Sequence, residues 1–99
     1  MGFMVGDGSR KSEEEYVHYL EAERSRYAWV MRVYGYLSQA QATEAAERRY
    51  PYEHADAPYR GLIFHDEAWH WAMLDLKGER YWLRHPELTS PPDSYNALD

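Results

Sequence analysis

Apolar residues fall at Tyr16, Leu20, Tyr27, Val30, Met31 and Tyr34, a helical stripe interrupted at Glu23. Ser12 with Glu15 makes a Ser-x-x-Glu capping box, which predicts that this first helix starts at residue 12. Gly35 is the expected left-handed stop. A second capping box, Ser38 with Gln41, opens an alanine-rich helix that ends before Pro51, with Leu37 placed to staple onto Ala42. Residues 51–61 carry turn chemistry. A third helix, capped by His65 or Asp66, runs over 66–77 to Gly78 and is apolar on more than one side, so it is the expected central element.

Leu62-Ile63-Phe64 reads as a strand-like stretch or a buried lead-in, and the segment holding Tyr81-Trp82-Leu83 as a short helix or a strand. The fold expected is all-α, a compact bundle of three to four helices with flexible termini. The alternative is an α+β fold with a two-stranded element at 62–64/81–83. The domain then spans 12–88, with tails at 1–11 and 89–99, the latter carrying Pro91-Pro92.

At 99 residues the chain fits one domain with a modest core. It has no cysteine, which excludes disulfides, thiolate metal sites and cysteine nucleophiles and suits a cytoplasmic location. The first residues show no signal-peptide pattern, and no apolar run reaches the roughly 18 residues of a membrane span. A net charge of −6 opposes non-specific nucleic-acid binding, although Arg24, Arg26, Arg32, Arg48 and Arg49 leave room for a local basic patch. A helix-turn-helix around Gly35 would present Ser38, Gln39 and Gln41 to DNA. That motif wants small or apolar residues where Met31, Gln41 and Glu44 stand. No nucleic-acid partner and no membrane partner is expected.

Two Glu-x-x-His pairs, Glu15/His18 and Glu67/His70, match the ligand spacing of dimetal helical bundles, with Glu44, Glu47 or Glu79 as further donors. His65, Asp66, Glu67 and His70, with His54 or His85, would make a single-metal or acid–base site. The metal would be iron, manganese or zinc. Composition alone yields about 0.6 Glu-x-x-His pairs, and exposed neighbours surround His18, so this stands as the alternative. No Ser/His/Asp order and no phosphate loop stands out, so no catalytic residue is assigned and no cofactor is required.

Ten tyrosines and four tryptophans change the picture more. Each combines apolar area with a polar tip, the type enriched at protein interfaces. The function expected is therefore a small non-catalytic protein-interaction or regulatory module. Trp29, Tyr34, Tyr36, Tyr52, Tyr59 and Trp82 are its candidate contacts, and its partner is another protein or a second copy.

Tyr50-Pro51-Tyr52-Glu53, the run Phe64-His65-Asp66-Glu67-Ala68-Trp69-His70-Trp71-Ala72-Met73, and Tyr81-Trp82-Leu83-Arg84-His85-Pro86-Glu87-Leu88 resemble a group of short bacterial proteins of uncharacterised activity. The resemblance covers residues 27–88. It implies a bacterial origin and brings no catalytic motif.

Overall fold

The computed structural model describes the backbone of residues 2–98 and the side chains of residues 13–98. Five α-helices follow one another: α1 (Gly2–Val33), α2 (Gln39–Arg49), α3 (Ala68–Lys77), α4 (Tyr81–Arg84) and α5 (Asp93–Asn96). The described residues contain no strand, so the architecture is all-α. The first three helices form the bundle, with α1 packed against both α2 and α3.

The 32 residues of α1 span about 48 Å at 1.5 Å each, which accounts for most of the 52 Å long dimension. Its backbone is helical before Ser12, so the expected start at that residue is not a helix end. No proline precedes Pro51 to force one. The side chain of Ser12, and with it the first capping box, lies outside the described residues.

The inward stripe of α1 reads Leu20, Glu23, Tyr27, Val30 and Met31, all buried. Spacing of three and four places them on one face. Glu23 is thus not a break in the stripe but an inward carboxylate, paired with Arg26 at 2.6 Å. Against it α2 sets Ala42, Ala45 and Ala46, small enough for close approach, and α3 sets Trp69, Ala72 and Met73. Trp69 is 2% exposed, and truncating such a side chain to alanine costs about 3–5 kcal/mol.

Local chemistry fixes the helix ends. The Ser38 capping box is complete: the Gln41 amide donates to Ser38 Oγ at 3.1 Å, and the Ser38 amide donates to Gln41 Oε1 at 3.0 Å. At the other end of α2, Arg24 donates to the Tyr50 carbonyl through Nε at 2.9 Å and Nη2 at 2.6 Å. The cap of α3 is Glu67, one residue beyond the expected candidates, with its carbonyl accepting from the His70 amide. Arg84 closes the far end of α3, donating to the Lys77 carbonyl at 2.6 Å.

Three expectations are corrected. The left-handed residue after α1 is Tyr36, with φ 60°, not Gly35. Glycine is required at 35 for space, because a Cβ there would lie 2.7 Å from the Met31 carbonyl oxygen and 2.8 Å from Leu76 Cδ2. The two-stranded alternative does not form. Leu62–His65 is a 3-10 turn and Tyr81–Arg84 is one turn of α-helix. Buried Tyr81 and exposed Leu83 follow a helical turn, and each segment satisfies its amides locally. Finally, the segment expected as a tail from residue 89 onward holds α5. Its Tyr95 is 4% exposed, stacks edge-on against Trp69, and accepts a hydrogen bond from the Trp69 amide at 3.2 Å.

Candidate functional site

Loop 50–61 has no regular structure, so side chains must hold it. The anchor is Glu13 on α1. Arg60 Nη2 donates to Glu13 Oε1 at 2.6 Å, and the Tyr52 hydroxyl donates to Glu13 Oε2. These two bonds, Tyr52 first and Arg60 second, lower the Glu13 pKa from its ordinary value. The same bond from Tyr52 raises the pKa of that phenol. The Arg60 guanidinium also lies over the Tyr16 ring, 3.8 Å from its centroid. The Glu53 amide donates to the Tyr16 hydroxyl at 2.9 Å, and the Gly61 amide donates to Glu53 Oε1 at 3.1 Å.

This hub sets the outer surface of the loop. Tyr59 has φ 62° and stands 81% exposed. Leu62, at the start of the next turn, is 64% exposed. Between them opens a cleft of about 320 Å³ lined by Pro58, Ile63, Trp71 and Glu53. Trp71 is oriented by donating from Nε1 to the Ile63 carbonyl at 2.9 Å and by the Arg49 guanidinium 4.8 Å from its ring centre. The aromatic surface continues from Trp71 to His70, at 6.0 Å, and from His70 to Trp82, also at 6.0 Å.

The candidate contact residues separate into groups. Trp29 and Tyr34 are half-buried and flank the core around Tyr95 and Trp69. Tyr36 is alone at the α1–α2 turn, and Tyr52 is tied to Glu13. Tyr59 and Trp82 fall on the surface just described. Leu62 and Ile63 belong to a run expected as a strand-like stretch or a buried lead-in; the 3-10 turn instead leaves Leu62 exposed and Ile63 half-buried against the core.

The metal candidates are placed differently. Glu15 and His18 are exposed on α1, and His65 is exposed before α3. His70 Nδ1 hydrogen-bonds with the Tyr81 hydroxyl at 3.1 Å. Among the described residues, no three His, Asp or Glu side chains come together as a metal-binding group. Of the basic residues, Arg24, Arg26 and Arg32 line one groove of about 340 Å³ between α1 and α2. Arg48 and Arg49 pair instead with Glu44 and Asp75. No described helix is long and apolar enough to cross a membrane.

No family model, curated protein or solved structure matches this chain. A functional reading therefore rests on the surface chemistry itself.

Proposed function

We propose that the protein is a non-catalytic interaction module, and that the face it offers is the cleft between Tyr59 and Leu62 with Trp71 as its floor. One observation carries the reading. Tyr59 holds the left-handed conformation, which costs a non-glycine residue on the order of 1–3 kcal/mol, while its ring points into solvent. Glycine or asparagine would make the same turn at less cost. Tyr36 shares this conformation and is 89% exposed, so what singles out Tyr59 is the apolar cleft beside its ring. A rigid aromatic anchor beside an apolar cleft, with Arg49 and Arg60 near its rim, has the composition of an interface hot spot. The occupant is an apolar segment of another protein.

Selection of displayed peptides on the full chain tests this. Enriched peptides should lose at least tenfold in affinity on Tyr59→Ala and on Leu62→Ser, with the circular dichroism and melting curve unchanged. Tyr36→Ala, which removes an equally exposed ring elsewhere, should leave them bound. Peptides that bind all three variants equally, or no enrichment, would overturn the reading. Self-association lost in the same two variants would make a second copy the partner.

A further inference from the structure

A second cleft, of about 480 Å³, shares no lining residue with the first. Tyr19, Glu23 and Arg26 of α1 form one side, Phe64 and Glu67 another, and Tyr95 of α5 closes it. Its chemistry centres on Glu23, whose side chain is 6% exposed. Arg26 occupies one carboxylate oxygen, Oε2, at 2.6 Å. Among the described residues nothing donates to the other oxygen, and nothing pairs with the Glu67 carboxylate.

Glu23 stands where the stripe otherwise carries apolar side chains, and replacing a buried ion pair as a whole by apolar side chains is often neutral or stabilising. The Tyr19 and Phe64 rings lie 4.6 Å apart, and Tyr95 lines the same space beside His65, Asn96 and Leu98. Burial first, then the charges of Glu23 and Glu67, hold the Tyr95 phenol protonated up to about 12, against the Trp69 amide and Arg26. Both carboxylates line the cleft together with Tyr95.

We infer that this cleft binds a small organic ammonium ion, its charge between Glu23 and Glu67 and its apolar body against Tyr19, Phe64 and Tyr95. Unpaired carboxylate oxygens supply charge-assisted acceptors, and aromatic faces attract a cation. The volume lies in the range of small-molecule sites, and the net charge of −6 favours cation approach. The inference does not rest on the proposed docking face.

The test is a titration of the full chain with phenethylammonium chloride, followed by amide resonances, with neutral 2-phenylethanol as control. Shifts should concentrate at Tyr19, Glu23, Glu67 and Tyr95. Glu67→Gln, on an exposed residue that makes no side-chain cap, should weaken binding at least tenfold. Glu23→Gln should do the same. Glu67→Leu should weaken binding at least as much while the domain remains as stable, because Glu67 is exposed and makes no side-chain cap, which separates loss of the site from loss of the fold. Tyr59→Ala should have no effect. Equal shifts with the alcohol, unchanged affinity in Glu23→Gln and Glu67→Gln, or no shifts at millimolar ammonium would each overturn the inference.

Discussion

Tyr27 and Asp75 stand 48 positions apart and meet at 2.5 Å, the phenol of α1 donating to the carboxylate of α3. Arg49 of α2 closes on the same carboxylate, with Nε 3.0 Å from Oδ2. One side chain thereby joins all three bundle helices. Hydrogen bonds to a charged group contribute about 1.5–3 kcal/mol, less where water reaches them, and Asp75 is 29% exposed. Asp75→Ala should therefore destabilise the domain by about 1–2 kcal/mol in urea unfolding. Tyr27→Phe should cost about 0.5–1.5 kcal/mol, and the double variant less than the sum. Strict additivity would show that the two residues do not act as one unit.

Gly35 presents two opposed effects. Its φ is not positive, so alanine could adopt its backbone, and removing glycine's extra freedom in the unfolded chain would stabilise by about 0.4–1 kcal/mol. The new Cβ would meet the Met31 carbonyl and Leu76 Cδ2, both inside 3.0 Å. Leu76 can rotate but the carbonyl belongs to the last turn of α1, and such overpacking costs about 1–3 kcal/mol. The clash wins. Gly35→Ala should lower the unfolding midpoint, whereas a gain in stability would mean that α3 moves aside freely.

The contrast between Gly35 and Ser38 shows what the sequence makes legible. Ser38 and Gln41 act on neighbours three residues away, so their capping box is readable and is found intact. Gly35 marks the turn correctly, but its reason is Leu76, forty-odd residues later, which no local pattern contains. The same limit hides the Asp75 junction and the Glu13–Arg60 hub, both built across the chain. It also hides the role of Glu23, read as a gap in the apolar stripe although it keeps the spacing of the stripe. Tyr95 escaped because α5 is a single turn between Pro92 and Leu98, too short to show a period. Tyr59 is legible as a candidate contact by residue type alone, whereas the exposure of Leu62 is not, because three apolar residues in a row do not reveal which will face out.

Buried phenols give the domain an alkaline limit. Burial raises the pKa of Tyr27, Tyr50 and Tyr95 above the ordinary 10.0, Tyr95 to about 12. At Tyr27 the bond to Asp75 adds to the effect of burial, and at Tyr50 the charge of Glu23 does. Among the described residues the buried Tyr50 hydroxyl has no hydrogen-bond partner, so its ionised form would be unsupported. Protons are thus held more tightly in the folded state than in the unfolded one. The stabilisation is complete below pH 10 and is lost as pH rises from there through the folded values. The urea midpoint should hold up to that point and then fall, with Tyr50→Phe falling less steeply. A midpoint flat through the alkaline range would contradict the burial of these three hydroxyls.

The acid limit belongs to the loop rather than to the core. Glu13 is the acceptor for both Tyr52 and Arg60, and its pKa lies below the ordinary 4.5. The carboxylate form is favoured in the folded state, so this contribution is present above 4.5 and disappears as pH falls through the lower folded value. Protonation removes the charge that Arg60 and Tyr52 share, and loop 50–61 should loosen while α2 and α3 remain packed. Hydrogen exchange at the Glu53 and Gly61 amides, corrected for its intrinsic pH dependence, reads this directly, because both donate within the hub. Protection there should fall in acid before protection at Val30 or Met73. Glu13→Gln should show the loosened loop already at neutral pH, with little further acid response. If protection at Glu53 and Gly61 tracks that of the helices in both proteins, the loop is held by its packing on Tyr16 and not by the Glu13 charge.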